Sequence, residues 1–508
     1  MRVRYSMINA IVSVVAQVIT IIITFISRRV FLMVLGESVL GVNSLFNQII
    51  SMMSLMELGI GSAIIYSLYQ PLAVDDKEQI AAIMRLYKKI YTVIGCTVLL
   101  AGSALTPFIT FFITGDISEI SNIYLIFMLF VINSALTYFN SYKQNLIVAD
   151  QKKYITIIFH NGLFILLNIV QIVVLLRTRN YELFLILQIV VTLAENLLLS
   201  QITKKMYPFL ATYKAAKVKE NTLNKMKKNV KALLLHRVGG VFASSTDTII
   251  ISKFIGIIIA GKYMNYLYVT NAFNTLTTNF FSSFTSSVGN FSVTAEKKDS
   301  YELFRKLIYL NFIVFGFITI CTWCLISDFI NIFFGSNMVL SDKIVVLLVL
   351  KFYLNGMRST LLTYKDALGI YHQDRFRPVF EGAINLIAAL ILVKDMGLAG
   401  VVIASILSNV CVNTWIEPYA VYKEGFEKKW TDYLIHYAKY FGCLVIIGAI
   451  MTMVANNFVV GNFIHFILKA FAIAGTSLIL LLVFGYMLDR EELKYYVTLV
   501  KKVILKRK

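Results

Sequence analysis

The chain has 508 residues, of which 58% are hydrophobic, 13% aromatic and only 15% charged. A water-soluble protein of this length could not bury so much apolar surface, so the composition excludes the soluble classes and predicts a polytopic membrane protein. The five cysteines all lie in apolar segments, which predicts buried thiols and no disulfide framework.

Apolar runs of about 20 residues, the length that crosses a bilayer as a helix, predict fourteen membrane spans. In chain order they lie at 7–30, 40–66, 88–113, 120–142, 154–176, 182–203, 233–254, 263–290, 304–327, 342–364, 376–394, 398–422, 433–456 and 463–487. The fold class predicted from them is an all-α integral membrane protein of about fourteen transmembrane helices.

The distribution of cationic residues predicts the orientation of these spans. With the N-terminus in the cytoplasm, 36 of the 48 Lys and Arg residues fall on the cytoplasmic side and 8 on the opposite side. Because cytoplasmic loops carry the excess of Lys and Arg, both termini are predicted to be cytoplasmic. The net charge of +20 is then explained by loops near anionic membrane lipids, and no nucleic-acid partner is expected.

An internal duplication divides the chain. Shifting the sequence along itself by 220 residues aligns, without a gap, Gly36 with Gly256, Gly41 with Gly261, Lys77 with Lys297 and Arg85 with Arg305. A weaker internal similarity, at an offset of 222 residues, aligns Tyr142 and Lys143 with Tyr364 and Lys365. Two similar membrane bundles are how many transporters build a central site, so the duplication favours a transporter.

The repeat and the loops predict four regions. These are an N-terminal six-helix lobe at 1–203, a basic cytoplasmic linker at 204–232, a C-terminal six-helix lobe at 233–422, and two extra helices with a basic amphipathic tail at 423–508. The two lobes are expected to be pseudo-symmetric.

Ionisable residues within spans are the candidates for function, because a charge in hydrocarbon costs at least about 2.5 kcal/mol. Lys351 and Arg358 lie two helical turns apart in one predicted span, on one face. They are predicted to bind an anionic head group, Arg358 through bidentate phosphate contacts. The alternative is that they snorkel to the interface, or that they pair with Glu57, Glu195 or Asp247 and lock the bundle.

The remaining candidates are predicted from position alone. Arg28, Arg29 and Arg237 are further candidate cavity cations, each with interface anchoring or snorkelling as the alternative. Candidates for ion coupling or for helix locking are Glu57, Asp247, Glu381 and His160.

The sequence has no P-loop, nucleophile elbow or zinc-protease motif, so no enzymatic activity, catalytic residue or metal site is predicted. No cofactor is expected. Transport would be driven by a gradient or by the membrane potential, with H⁺ and Na⁺ as the open choices for a coupling ion.

The stretches at 28–80, 247–266, 377–410 and 417–426 carry a family resemblance. On them the chain resembles the polysaccharide transport flippases of the multidrug/oligosaccharidyl-lipid/polysaccharide (MOP) superfamily. The resemblance implies a V-shaped pair of six-helix lobes with two extra helices, in the bacterial cytoplasmic membrane. It also implies that an undecaprenyl-pyrophosphate-linked oligosaccharide passes from the inner to the outer leaflet by alternating access. The motif arginine, at Arg28 or Arg29, and the motif aspartate Asp247 carry over by position.

The same resemblance implies roles in capsule, exopolysaccharide or O-antigen synthesis, with a polysaccharide polymerase and glycosyltransferases as partners. Three alternatives stay open. A lipid II-type peptidoglycan-precursor flippase shares the fold and the lipid carrier. A multidrug exporter of the same superfamily would usually need acids in its cavity. A membrane glycan polymerase would need larger loops than this sequence has.

Overall fold

The computed structural model describes residues 2–57, 60–118, 120–213, 218–220, 222–224, 226, 245–370 and 373–505. Within these ranges every regular element is a helix, which confirms the predicted all-α membrane class. Helices suit this setting because they satisfy all of their backbone hydrogen bonds within one segment.

The helices form two compact units, Met1–Gly261 and Lys262–Lys508. The N-terminal unit contains α1 (Arg2–Met53), α2 (Ile60–Ala73), α3 (Lys77–Leu105), α4 (Ile123–Ala149), α5 (Lys153–Thr178), α6 (Tyr181–Met206) and a helical segment at 245–254, α7. The helix α8 (Ile257–Ser282) begins in that unit and continues into the second.

The rest of the C-terminal unit is also helical. It contains α9 (Thr285–Thr294), α10 (Lys297–Phe334), α11 (Asp342–Gly356), α12 (Ser359–Leu368), α13 (Arg377–Met396), α14 (Leu398–Ser408), α15 (Thr414–Val421), α16 (Thr431–Asn456), α17 (Phe463–Leu488) and α18 (Arg490–Leu505). Two π-helical turns, Asn409–Asn413 and Tyr422–Phe426, flank α15.

The predicted linker at 204–232 and the predicted lobe boundary at 233 fall largely outside the described residues. After this gap, α7 packs within the N-terminal unit. The amide of Thr114 donates to the carbonyl of Ser252 at 3.1 Å, and the amide of Ile257 donates to the carbonyl of Thr114 at 2.9 Å. These backbone bonds join the end of α7 to the segment that follows α3, so the contact boundary falls at Gly261.

Ten helices of the described chain are long and apolar enough to cross a membrane. They are Val15–Met53, Lys77–Phe112, Ile123–Ala149, Lys153–Thr178, Tyr181–Met206, Lys297–Phe334, Asp342–Leu368, Leu398–Phe426, Thr431–Asn456 and Phe463–Leu488. Fourteen predicted spans are consistent with this set. Two predicted spans share the first helix, one coincides with the twenty-residue α13, one overlaps α8 and α9, and the one at 233–254 is described only from 245 onward.

The first membrane helix is broken at Gly36, which has φ 86° and ψ 177° inside α1. Arg28 and Ser44 flank the break, and the guanidinium of Arg28 donates to the hydroxyl of Ser44 at 3.3 Å. In a straight helix these residues would stand about 24 Å apart along the axis, too far for that hydrogen bond. The chain therefore changes direction at Gly36, where the positive φ favours glycine.

The duplicated sequence positions occupy equivalent structural positions. Lys77 is the first residue of α3 and Lys297 is the first residue of α10. Gly41 lies against the start of α8, where a Cβ atom on it would stand 2.2 Å from the carbonyl oxygen of Ile257. A Cβ on Gly261 would lie 3.2 Å from the Cα of Gly41, so the two repeated glycines pack on each other. Small residues permit this close approach of two helices in a membrane.

The last helix, α18, is attached to α10 by polar contacts. Arg305 pairs with Asp489 at 3.4 Å and with Glu492 at 2.9 Å, and the Tyr496 hydroxyl donates to the carbonyl of Lys306 at 3.0 Å. Elsewhere on its surface α18 exposes Val497 and further apolar side chains beside its lysines. This is the amphipathic pattern expected of a helix at the membrane surface.

One prediction concerns the start of α3, where the carboxylate of Asp76 accepts from the amide of Gln79 at 3.0 Å and from Lys219 at 2.9 Å. Both donors favour the charged form and hold the pKa of Asp76 below its usual range. Asp76→Ala is expected to reduce the free energy of unfolding by about 1 kcal/mol, the usual worth of an N-cap. Glu296, which occupies the equivalent position before α10, makes no side-chain capping bond, so Glu296→Ala is the matched control.

The pH dependence of this contribution has a defined sign. Because folding lowers the pKa of Asp76, its stabilisation is present above the ordinary carboxylate pKa and is lost as the pH falls through the lower native value. Thermal unfolding of the two variants and the wild-type protein at neutral pH and near pH 3 checks this. Equal effects of Asp76→Ala and Glu296→Ala at neutral pH would contradict it.

Candidate functional site

A small polar cavity lies between α8 and α11 of the C-terminal unit, inside an otherwise apolar bundle. Its volume is about 50 Å³, enough to admit a few water molecules. It is lined by Tyr266, Leu267, Thr270, Asn271, Asn274, Leu348, Lys351, Phe352 and Asn355. Helical spacing explains the lining, since Thr270 and Asn274 share one face of α8, and Lys351 and Asn355 share one face of α11.

The ammonium group of Lys351 is oriented by hydroxyl groups. It donates to the Tyr263 hydroxyl at 3.2 Å and to the Ser405 hydroxyl at 3.1 Å. Ser405 in turn donates to the amide oxygen of Asn385 at 3.3 Å. At the other end of the cavity wall, the amide of Asn409 donates to the amide oxygen of Asn355 at 2.7 Å. The cavity thus combines one cationic group with amide and hydroxyl groups, a set that suits anionic or hydroxyl-rich ligands.

Arg358 lies in a different environment. The predicted single span is interrupted after Gly356, so Lys351 belongs to α11 and Arg358 precedes α12. The guanidinium of Arg358 makes a bidentate pair with the carboxylate of Glu417, at 2.8 and 2.7 Å. The sequence offers Glu57, Glu195 and Asp247 as pairing partners, but the bidentate partner is Glu417. Its predicted contact with a substrate phosphate stays a prediction.

Glu417 and Arg358 belong to a larger set of buried charges, which we call the ion cluster. It consists of three cations and three anions, Arg358, Lys365, Arg377, Asp374, Glu381 and Glu417. Arg377 bridges the set, since it lies 3.2 Å from Asp374, 3.1 Å from Glu381 and 3.3 Å from Glu417. Lys365 pairs with Asp374. The side chains of Glu417 and Asp374 are 1% and 0% exposed, and those of Arg358 and Glu381 are 14% and 16% exposed, so these six balanced charges are largely buried.

A sequence signal for this cluster existed. Glu417 falls within the predicted span at 398–422, and an acid inside a span requires a cationic partner. The partners could not be named, because Arg358 and Glu417 are 59 residues apart in the chain. Glu381, proposed for ion coupling or helix locking, accepts from Arg377 and from the amide of Asn413. Either role for Glu381 stays a prediction.

The candidates in the N-terminal unit are dispersed. Arg28 is buried while the neighbouring Arg29 is exposed, so the two arginines project in different directions. Glu57 is half-buried and accepts a hydrogen bond from the Tyr91 hydroxyl at 2.7 Å. Asp247, in α7, is 2% exposed. Their roles as substrate or ion ligands stay predictions.

His160 forms a pair with a second titratable group. Its Nδ1 lies 3.0 Å from the carboxylate of Glu195 on α6, and the His160 ring stacks on Phe164. Next to this pair, the Thr20 hydroxyl donates to the amide oxygen of Asn161 at 2.7 Å. Proton transfer at His160 therefore has a carboxylate within reach, and its use in coupling stays a prediction.

One candidate cavity cation, Arg237, lies outside the described residues. Among the residues that are described, no group of three or more His, Cys, Asp and Glu side chains could hold a metal ion.

Comparison of the fold identifies similar solved structures, although no protein-family model and no curated protein matches the sequence. An inward-facing multidrug resistance MATE family transporter of the MOP superfamily aligns with a TM-score of 0.62 and 12% identity, covering 81% of this chain and 98% of that chain. The lipid II flippase MurJ, in an inward closed conformation, aligns with a TM-score of 0.61 and 12% identity, covering 93% of this chain and 99% of that chain.

A MOP superfamily transporter from Pyrococcus furiosus also aligns, with a TM-score of 0.52 and 12% identity over 84% of this chain and 96% of that chain. The similarity spans nearly the full length of each of these proteins. At such identities it establishes the fold and not the substrate. The chain therefore has the fold of the MOP superfamily transporters.

Proposed function

We propose that the protein is a membrane transporter that flips an undecaprenyl-pyrophosphate-linked oligosaccharide from the cytoplasmic to the outer leaflet of the bacterial cytoplasmic membrane. Alternating access, in which the protein opens first to one leaflet and then to the other, would move the head group, with both termini of the chain in the cytoplasm. The proposed pathway is the synthesis of capsular or extracellular polysaccharide, in which the flippase would meet glycosyltransferases and a polymerase.

The observation that carries this proposal is the cavity between α8 and α11. Its wall presents the ammonium of Lys351 together with the amide groups of Asn271, Asn274 and Asn355. An ammonium attracts phosphate, and amide groups hydrogen-bond sugar hydroxyls. A head group that contains both phosphate and sugar matches both kinds of group.

The same wall argues against the multidrug exporter. Exporters of cationic drugs need acidic groups to neutralise their substrates, whereas the charged side chain lining this cavity is that of Lys351. The extent of alignment also favours a flippase, because MurJ covers 93% of this chain and the MATE transporter covers 81%. The difference of about 60 residues is the length of two membrane helices with their connections.

Reconstitution tests the proposal. The full-length protein is placed in lipid vesicles with a fluorescent lipid-linked oligosaccharide, and the loss of fluorescence accessible to an external quencher reports transfer between leaflets. Parallel vesicles contain fluorescent lipid II or a fluorescent cationic dye. Faster movement of lipid II would favour the peptidoglycan-precursor alternative, and movement of the dye alone would contradict the proposal.

Lys351→Gln is expected to slow transfer of the oligosaccharide lipid at least about tenfold, because a hydrogen bond to a charged group is worth about 1.5–3 kcal/mol. Lys394→Gln, which removes an exposed lysine at the end of α13, is the matched control. Arg358 is a poorer test, since its removal would also break the ion cluster. Wild-type transfer by Lys351→Gln would exclude this lysine from substrate binding.

A further inference from the structure

We propose that Lys88, Lys143 and Lys204 form a binding site for the phosphate groups of a lipid head group at one end of the N-terminal unit. We call this set the lysine cluster. It deepens the proposed function, on which it rests for the identity of the transported lipid. The binding chemistry itself is argued from the cluster alone.

Lys143 is the centre of the cluster. It lies in α4, within one of the membrane-length helices, and its side chain is half-buried. Its ammonium donates to the amide oxygen of Asn140 at 2.9 Å and to the Ser200 hydroxyl on α6 at 2.6 Å. Both acceptors are neutral, so they orient the ammonium without cancelling its charge.

The other two lysines add to that charge. Lys204 follows Ser200, the partner of Lys143, by one turn of α6. Lys88 precedes Tyr91 by one turn of α3, and the ring of Tyr91 lies 6.4 Å from that of Tyr138 on α4. Helical spacing therefore brings both exposed lysines to the end of the unit that holds Lys143. Partial burial weakens solvent screening and makes like charges in one place unfavourable. An anion bound among the three groups would be attracted to each of them, and these attractions would offset the mutual repulsion of the lysines. Lysines bind phosphate in this way as point charges.

The duplication provides an internal comparison. At the offset of 222, Lys143 aligns with Lys365, and Lys365 is paired with Asp374 in the ion cluster. The position that aligns with Asp374 is Lys152, which carries the opposite charge and pairs with Asp150 at 2.7 Å. The repeated lysine is thus paired with a carboxylate in the C-terminal unit, and its counterpart donates to neutral groups in the N-terminal unit.

The location of the lysine cluster fits a lipid phosphate. Lys88 begins one predicted span, while Lys143 and Lys204 directly follow two others, and all three positions are predicted to be cytoplasmic. A phosphate attached to a lipid in the inner leaflet lies at this depth. The source could be the carrier of the transported oligosaccharide or a bulk anionic lipid, and the experiment distinguishes these two sources.

Binding is measured by isothermal titration calorimetry on the full-length protein in a neutral detergent. The probes are undecaprenyl pyrophosphate, phosphatidylglycerol and the uncharged undecaprenol. We expect Lys143→Gln to weaken binding of undecaprenyl pyrophosphate about tenfold, as loss of a charge-assisted contact does. Lys143→Arg should retain most of the affinity. Lys298→Gln, which removes an exposed lysine at the start of α10, should leave it unchanged.

A second readout separates binding from folding. Since Lys143→Gln removes a repelled charge, the ligand-free variant should melt at the same temperature as the wild-type protein or higher. If Lys143→Gln weakened the binding of phosphatidylglycerol and of undecaprenyl pyrophosphate equally, the lysine cluster would be assigned to bulk lipid. If it weakened only the binding of undecaprenyl pyrophosphate, the cluster would be assigned to the carrier. Wild-type affinity of Lys143→Gln for both phosphate probes overturns the proposal. Because the assay needs no transport, a failed flipping experiment would leave this result intact.

Discussion

Glu417→Ala is expected to lower the free energy of unfolding by about 3–5 kcal/mol, the usual cost of removing one partner from a buried ion pair. The side chain of Glu417 is 1% exposed and accepts two hydrogen bonds from Arg358. Without this carboxylate the ion cluster would hold three cations and two anions. The excess charge is enclosed by protein, so solvent could not compensate it.

The effect should be visible as a fall of several degrees in the melting temperature of the detergent-solubilised protein, because 1 kcal/mol shifts the melting temperature of a unit of this size by about 2–4 °C. Asp75→Asn is the matched control, because Asp75 pairs with Lys77 at 3.3 Å on the surface, with side chains 77% and 46% exposed. Exposed pairs are worth about 0–1 kcal/mol, so this variant should melt near the wild-type temperature.

A double variant tests the electrostatic origin of the loss. Arg358→Leu combined with Glu417→Leu removes one cation and one anion, and leaves Arg377 with Asp374 and Glu381. Replacement of a whole buried pair by apolar groups is often neutral, so the double variant should recover much of the stability lost in Glu417→Ala. A double variant as unstable as Glu417→Ala would show that shape, and not charge, governs this site.

Gly41→Ala is the second change with a large expected effect. The added Cβ would stand 2.2 Å from the carbonyl oxygen and 2.8 Å from the carbonyl carbon of Ile257. These are backbone atoms that no rotamer change can move, so α1 and the start of α8 would have to separate. Overpacking of this kind costs about 1–3 kcal/mol and sometimes more. We expect a reduced yield of folded protein and a lower melting temperature.

A graded series of glycine variants makes this prediction specific. A Cβ on Gly261 meets Gly41 at 3.2 Å, a tight contact that a small shift relieves, so Gly261→Ala should be milder. A Cβ on Gly475 in α17 meets nothing within 4 Å, and alanine there should stabilise the helix by about 0.5–1 kcal/mol. Size-exclusion profiles and melting curves should therefore show that Gly475→Ala is the most stable of the three variants, Gly261→Ala the next and Gly41→Ala the least stable. The reverse order would exclude close helix packing at the repeated glycines.

Some parts of the candidate site could be found from the sequence and others could not. Lys351 is conspicuous because a charge in an apolar run is costly, and the structure places it in a cavity wall. Asn271, Asn274 and Asn355 line the same cavity but carried no comparable signal, because neutral amides are tolerated in membrane helices. Arg28 and Arg29 could be assigned to different faces, yet only the structure shows that Arg28 is the buried one.

The sequence by itself determined the helical membrane class and the duplication. These features depend on local composition, on helical periodicity and on the similarity of one segment to another, all of which can be read directly from the sequence. The tertiary structure decided which charges meet. Arg358 joins Glu417 and does not line the cavity of Lys351. At equivalent positions of the repeat, Lys143 donates to a neutral hydroxyl and Lys365 pairs with a carboxylate. Such pairings depend on contacts between helices far apart in sequence, and no local pattern encodes them.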